Sequence, residues 1–281
     1  MTKKLWPMVI FLLLVTLVTG CAAPITDVTG ESSTSEVGSE TTTLTLPGDD
    51  CVYPSPFAFY ARGHGYIRMS LLFDTLSWKD ESGVIPWLAD AWTVTDDGTA
   101  WTFTLRPGVT WHDGELLTAE DVAFTYEYFK AHQGAFKWSW PVGKIASAEA
   151  VDEETVVITL TAPIAGAHEG LIGSLPIIPR HIWEDVDDPT KVMAEEAVIG
   201  SGPFKLVEYS KAEARYIYEA NADYFQGVPA VDRLTFIKVE NQALALETGT
   251  TDYASFWGKE IEAVRAFEDK DAYGIIDGPS F

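Results

Sequence analysis

Apolar and polar residues alternate in several short stretches of the chain, a pattern typical of half-buried β-strands. In one of them Trp101, Phe103 and Leu105 point to one side, with polar residues between them. The turn Asp96-Asp97-Gly98 comes just before this stretch and predicts a hairpin. The same reasoning predicts further strands at 43–46, 155–160, 204–209, 214–219 and 234–239.

Stretches whose apolar residues have helical spacing are interspersed irregularly among these strands. Thr118, with an acid three residues later, predicts a capped helix that runs to about His132 and buries Val122, Tyr126 and Phe129 on one face. Further helices are predicted over 66–76, from 179–181 onward, and over 243–247 before Gly249. Strands and helices do not follow a regular strand–helix–strand order, so the sequence predicts an α+β fold with a mixed sheet.

The N-terminus has the features of an export signal. Lys3 and Lys4 precede the apolar run Leu5 to Val18, and Val18-Thr19-Gly20-Cys21 resembles a bacterial lipobox. We therefore expect residues 1–20 to be a lipoprotein signal peptide and Cys21 to be the lipidated first residue of the mature chain. An ordinary secretory signal and a retained transmembrane anchor are the alternatives. The Ser/Thr/Glu-rich residues after Cys21 predict a flexible tether.

Charge excludes one class of partner. The 281 residues carry 42 Asp and Glu against 19 Lys and Arg, a formal net charge of −23. Such a field repels phosphate backbones, so we expect no nucleic-acid binding. Apart from Cys21 the sequence contains only Cys51, which we expect to be a partly buried thiol without a chemical role.

No motif for catalysis or for cofactor binding stands out. The five histidines do not fall into a metal-ligand spacing, and no nucleophile–base–orienter set is visible. Trp111-His112-Asp113-Gly114 is either an acid–base pair or, as we favour, a tight turn with His112 on its rim. For Trp92 and Trp101 the spacing favours core packing over ligand stacking. We expect no cofactor, no metal and no enzyme activity.

Several segments in succession resemble one known family. They are 72–76 (Leu-Phe-Asp-Thr-Leu), 86–92 (Pro-Trp-Leu-Ala-Asp-Ala-Trp), 96–106, 108–114, 117–122, 200–206 (Gly-Ser-Gly-Pro-Phe-Lys-Leu), 221–225, 231–234 and 243–252. Each segment is weak evidence, but their order is that of the extracellular solute-binding protein family 5. These proteins are the dipeptide, oligopeptide and nickel receptors of ABC importers.

The resemblance implies a fold and a division of the chain. The fold would be periplasmic-binding-protein-like, of class II or cluster C type: a mixed β-sheet lobe with an inserted small α/β domain, and a second lobe that is largely missing here. With the N-terminal motif, this gives a signal peptide (1–20), a tether (21–42), the first segment of lobe I (43–73), the inserted domain (74–182), the second segment of lobe I (183–268) and the start of a truncated lobe II (269–281).

The resemblance also implies a function. We expect a lipid-anchored extracytoplasmic receptor, in the periplasm or at the cell surface, that binds a small solute, most of all a peptide, and delivers it to ABC permease subunits. The full-length protein would be a monomer. A ligand-sensing co-receptor and, less favoured, a surface hydrolase are the alternatives.

The ligand wall is expected in the extended segment before the Leu-Phe-Asp motif. By the resemblance this segment comprises Tyr60, Ala61, Arg62, Gly63 and His64. Backbone groups there can bind peptides of many sequences, Gly63 lets another backbone approach, and Arg62 can meet a ligand carboxylate. The alternative is that Arg62 and His64 are solvated loop residues.

The anchor can be tested directly. Cys21→Ser removes the sulfur that would carry the lipid, so the variant should move from the membrane fraction to the soluble fraction when cells of a bacterial host are fractionated and probed for the chain. Cys51→Ser is the matched control and should stay with the membrane. A membrane-bound Cys21→Ser variant would contradict lipidation at this residue.

Overall fold

The computed structural model describes residues 41–57, 63–135, 141–256, 258–267 and 272–275. Cys21 and the predicted ligand-wall residues Tyr60, Ala61 and Arg62 therefore lie outside the described residues. No helix in the described ranges is long and apolar enough to cross a membrane.

The described residues form strands, four α-helices and short helical turns. The strands are β1 (Thr43–Pro47), β2 (Ser77–Asp80), β3 (Gly83–Pro86), β4 (Ala89–Val94), β5 (Ala100–Leu105), β6 (Ile145–Ala150), β7 (Thr155–Leu160), β8 (Phe204–Ser210), β9 (Arg215–Ala220) and β10 (Arg233–Ile237). The α-helices are α1 (His64–Ser70), α2 (Ala119–Ala131), α3 (Arg180–Trp183) and α4 (Gln242–Glu247). A π-helix spans His168–Ile172, and 3₁₀ turns span Gln133–Ala135, Val142–Lys144, Pro189–Lys191, Glu195–Val198 and Gly258–Ala266.

The first sheet joins the N-terminal strand to a hairpin from much later in the chain. Its order is β1-β10-β9-β8, with β1 parallel to β10 and the other neighbours antiparallel. One face buries Tyr216, Tyr218 and Phe236, whereas the other carries cross-strand ion pairs such as Arg233 with Glu219. A sheet with one buried and one charged face gives the alternation on which the strand predictions relied.

The second sheet is antiparallel, in the order β4-β5-β7-β6, and α2 packs across it. The predicted hairpin is confirmed, with Gly98 in the left-handed region at φ 70° between β4 and β5. The predicted α2 face is confirmed as well, because Val122, Tyr126 and Phe129 are fully buried. Thr118 N–H donates to the Asp121 carboxylate at 2.9 Å, which completes the predicted capping box.

The helix predicted over 66–76 is wrong in length, since α1 ends at Ser70. The carbonyl oxygens of Leu71 and Leu72 accept hydrogen bonds from Phe204 N–H and Gly202 N–H, at 3.0 and 2.8 Å. Leu72 is also fully buried in the core. Partners more than 100 residues away therefore take the carbonyl groups at the end of α1, and the chain leaves the helix.

Contact with this backbone requires glycine in the loop Gly200-Ser201-Gly202. A Cβ atom at Gly200 would overlap the carbonyl oxygen of Leu72, and one at Gly202 would lie 2.6 Å from that of Leu71. Both obstacles are backbone atoms and cannot rotate away. The loop therefore lies against the end of α1 only because Gly200 and Gly202 have no side chains.

The sheets suggest where the chain divides. The first sheet takes its strands from 43–47 and 204–237, and the second takes its strands from 89–160. The domain boundaries at 73/74 and 182/183 stay a prediction.

Cys51, between the first strand and α1, is partly buried and unbridged.

The close contact generates a stability prediction. Gly200→Ala should lower the free energy of unfolding by about 3 kcal/mol or more, because the added methyl group forces the loop off Leu72. Gly134→Ala is the matched control, since a Cβ there meets no atom of the described part of the chain within 4 Å; its effect should stay within about 0.5 kcal/mol. Urea unfolding followed by circular dichroism measures both, and equal midpoints for the two variants would contradict the contact.

Candidate functional site

The described part of the predicted ligand wall lies at the start of α1. Gly63 precedes the helix with φ 64° and ψ −139°, and both Gly63 and His64 are exposed. A Cβ atom on Gly63 would meet no atom of the described residues within 4 Å. The backbone conformation alone already calls for glycine, which gives Gly63 a reason besides ligand approach.

A cavity of about 230 Å³ opens beside the same helix. Four parts of the chain contribute to it: α1, the β2–β3 hairpin with the residues before it, the π-helix, and the segment that follows the π-helix. Its lining residues are Tyr66, Thr75, Ser77, Trp78, Lys79, Val84, His168, Glu169, Gly173 and Ser174. Tyr66 comes two residues after His64 in α1, so the cavity begins close along the chain to the predicted wall.

One ion pair links two sides of the cavity. Lys79 Nζ on β2 lies 2.7 Å from Glu169 Oε2 on the π-helix. Both side chains are more than half exposed, so the pair adds little to stability. Because the two charges compensate each other, the pair presents no net charge to the cavity.

His168 is held by aromatic rings. Its ring centroid lies 4.5 Å from that of Trp92 and 5.2 Å from that of Trp101. Burial lowers the pKa of His168, so the imidazole is neutral near pH 7. Both tryptophans also pack against the core, which confirms the core packing predicted from their spacing. The sequence did not reveal that they position His168, since the π-helix is far away along the chain.

The segment 111–114 is a turn, as favoured from the sequence. Gly114 has φ 93°, and its N–H donates to the Trp111 carbonyl at 2.9 Å. The expected place of His112 on the rim is wrong: its Nδ1 accepts from Gly200 N–H at 3.2 Å, and its Nε2 lies 3.0 Å from the Gly202 carbonyl oxygen. Burial lowers the pKa of His112 to about 4, so the ring is neutral near pH 7. It links the turn at 111–114 to the loop Gly200-Ser201-Gly202.

Asp113 completes the case against an acid–base pair with its neighbour. Its carboxylate lies 2.9 Å from His181 Nε2 on α3, whereas His112 faces the glycine loop. The two adjacent side chains therefore have different partners and cannot exchange a proton directly.

Ser201, His112 and Asp74 lie together at the loop Gly200-Ser201-Gly202, but they do not form a catalytic triad. Ser201 Oγ donates to Asp74 Oδ2 at 2.8 Å, and His112 contacts backbone atoms only. Ser201 and Asp74 are 1% and 3% exposed, so no substrate can reach the hydroxyl group. A hydrolase needs an accessible nucleophile next to a base. This cluster is therefore structural.

Asp74 is a buried hydrogen-bond acceptor. Besides Ser201 it accepts from Trp87 Nε1 at 2.7 Å and from the Tyr224 hydroxyl at 3.0 Å. Burial raises its pKa to about 6, although the three hydrogen bonds oppose the shift. Among the described residues, no group of three His, Cys, Asp or Glu side chains could hold a metal ion.

Comparison with known proteins places the chain in a family. The family described as bacterial extracellular solute-binding proteins, family 5 Middle, matches residues 83–281. The chain belongs to this family. The resemblance read from the ordered segments is thereby confirmed.

Two relatives from Escherichia coli illustrate the breadth of family 5. The dipeptide-binding protein is 33% identical over 172 residues, which cover 54% of this chain and 32% of the relative. The nickel-binding periplasmic protein is 29% identical over 213 residues, which cover 73% and 40%. The chain spans about two fifths of the length of the first curated relatives that it matches.

Solved structures show the same fold. NikZ from Campylobacter jejuni, in complex with Ni(L-His), matches with a TM-score of 0.70 and 23% identity over 82% of this chain and 45% of NikZ. The predicted family 5 fold, with mixed sheets and helices, is confirmed, and the chain forms part of a lobe.

The Asp74 network predicts a pH effect. Since the pKa of Asp74 rises from 3.8 to about 6 on folding, protonation favours the folded state. Its contribution to stability is therefore greatest below pH 3.8 and is lost as the pH rises through 6. Asp74→Asn cannot ionise and avoids this loss. From about pH 4 to about pH 8, the difference in unfolding free energy should shift in favour of the variant by about 2–3 kcal/mol.

Urea unfolding of both proteins at the two pH values measures the shift. His112 titrates in the opposite sense, with stability lost as the pH falls from 6.5 to about 4. That effect is present in both proteins and cancels in the difference. Asp223→Asn, at an exposed position, is the matched control. A difference between wild type and Asp74→Asn that is constant with pH would contradict the network.

Proposed function

We propose that the protein is a lipid-anchored extracytoplasmic receptor of an ABC importer, that it binds peptides, and that it delivers them to the membrane permease. Membership of family 5 carries the proposal. Names of relatives support the solute class, since one is a dipeptide-binding protein and another is an oligopeptide-binding protein of Bacillus subtilis. Cys21 supplies the anchor in this proposal, and the tether that follows it gives the receptor its reach.

The receptor breaks no bond and works by differential binding. A solute held between two lobes contacts both walls only in the closed form, so it shifts the population toward that form. The open surface beside Gly63 and His64, together with the cavity next to α1, supplies one wall. Exposed backbone at Gly63 suits solutes of varied sequence, because main-chain hydrogen bonds do not depend on side chains.

A peptide titration tests the proposal. Isotope-labelled chain is titrated with a mixture of di- and tripeptides while amide chemical shifts are followed. Since this chain offers one wall, we expect weak binding, with a dissociation constant of about 1 mM. The shift changes should centre on Gly63, His64 and the amides that line the cavity. Ni(L-His) is titrated separately, because nickel-binding relatives make a nickel complex the competing solute.

A pair of variants sharpens the test. His64→Trp fills the open surface at the start of α1 and should weaken peptide binding by about fivefold, or about 1 kcal/mol. Glu149→Trp places the same bulk on an exposed position of β6 and should leave binding unchanged. If Ni(L-His) causes shift changes and no peptide does, the proposed solute is a nickel complex and the peptide assignment is wrong. Shift changes confined to regions away from α1 would contradict the assignment of the ligand wall to Gly63, His64 and the cavity.

A further inference from the structure

The cavity beside α1 has one positive and one negative side chain in its lining, and both are accessible. They belong to Lys79 and Glu169, whereas burial lowers the pKa of His168 and leaves that ring neutral near pH 7. The side chains of Lys79 and Glu169 are 61% and 51% exposed, so a group that enters the cavity can reach both. Their charged atoms, Nζ and Oε2, lie 2.7 Å apart. A solute therefore meets a cation and an anion side by side.

The ion pair between Lys79 and Glu169 can be exchanged for contacts with a solute. An exposed pair of this kind contributes at most about 1 kcal/mol to stability. The two elements that carry it are also joined by backbone, since Ser77 N–H donates to the Gly173 carbonyl oxygen at 3.2 Å. A solute with a single charge would break one ion pair and form one. A solute with both charges would break one and form two, so the lining favours a zwitterion.

The size and walls of the cavity restrict the rest of the solute. A volume of about 230 Å³ is less than the roughly 300 Å³ at which pockets for drug-sized ligands begin. Val84 on β3 lies opposite Lys79 on β2, so the two side chains share one face of the hairpin. Tyr66 and Trp78 add rings to the lining. The space therefore suits a small molecule with an apolar part next to its charges.

The two charges of that molecule must lie close together. In a free α-amino acid the ammonium and the carboxylate are attached to the same carbon atom. Each further residue of an extended peptide moves its two termini apart by about 3.5 Å. Because Nζ of Lys79 and Oε2 of Glu169 are only 2.7 Å apart, they match the charges of an amino acid better than the two ends of a peptide.

We propose that the cavity beside α1 binds free α-amino acids with an apolar side chain. Glu169 pairs with the α-ammonium group, Lys79 pairs with the α-carboxylate, and the apolar side chain packs against Val84, Tyr66 and Trp78. This goes beyond the proposed function, because a free amino acid is not a peptide and its binding does not depend on peptide binding.

Three related compounds test the cavity by amide shift titration of the whole chain. L-leucine carries both charges, N-acetyl-L-leucine lacks the ammonium group, and L-leucinamide lacks the carboxylate. L-leucine should bind with a dissociation constant of about 1 mM, and its largest shift changes should fall on amides that line the cavity. Each derivative should bind about tenfold more weakly, because it breaks the ion pair and replaces only one partner.

Two variants assign each charge to its partner. Glu169→Gln should abolish the preference for L-leucine over N-acetyl-L-leucine and keep the preference over L-leucinamide. Lys79→Met should do the reverse, and a merely structural effect would not produce this crosswise pattern. The controls are Glu184→Gln and Lys191→Met, which remove exposed members of ion pairs outside the cavity and should keep both preferences.

The wild-type chain decides the matter first. The proposal is overturned if L-leucine does not bind, if both derivatives bind as tightly as L-leucine, or if the shift changes fall away from the cavity. It is also overturned if either cavity variant weakens all three compounds equally. If a variant does not fold, the comparison of the three compounds on the wild-type chain still applies. The peptide titration is judged separately, since either class of solute can bind without the other.

Discussion

The contact between the loop Gly200-Ser201-Gly202 and the backbone of Leu71 and Leu72 is the constraint on which the rest of the structure depends. Gly202 N–H and Phe204 N–H donate to these two carbonyl groups, which ends α1 and begins β8 at one point. The first sheet and the segment leading to β2 are thereby held together. Glycine is required because backbone atoms fill the space on the opposite side.

Buried polar side chains secure this contact from two directions. Asp74 accepts from Ser201 within the loop and from Trp87 and Tyr224 outside it, so one carboxylate joins four segments. His112, in the turn at 111–114, contacts the loop as a neutral ring. A carboxylate buried without a cation lowers stability near neutral pH, and satisfied networks of this kind favour a unique arrangement of the chain.

Local features could be predicted from the sequence, whereas features made by distant segments could not. The turn at Gly98 and the cap at Thr118 depend on a few neighbouring residues, and both are confirmed. The end of α1 depends on partners more than 100 residues away, so apolar spacing extended the helix too far. The role of His112 was missed for the same reason, since Gly200 is 88 residues away from it.

The cavity lay beyond the reach of sequence patterns for a further reason: it is bounded by side chains from separate segments, each of which is unremarkable alone. His168 follows a run without helical spacing, and its neighbours in the sequence give no sign that Trp92 and Trp101 enclose it. The family resemblance pointed only to residues 60–64, which form one continuous segment of the predicted wall.

The described part of the predicted wall, Gly63 and His64, is exposed, and α1 packs against the first sheet through its other side. On its buried side Arg68 is 2% exposed, and its guanidinium carbon lies 3.2 Å from the ring centroid of Phe236 on β10. Gly48 leaves room for that guanidinium, since a Cβ there would overlap it. On the other side Gly63, His64 and Ile67 face solvent. In the proposed receptor, a wall supported in this way would lose little conformational entropy when the solute binds. The movement that closes the proposed receptor would then fall to the connections between its lobes.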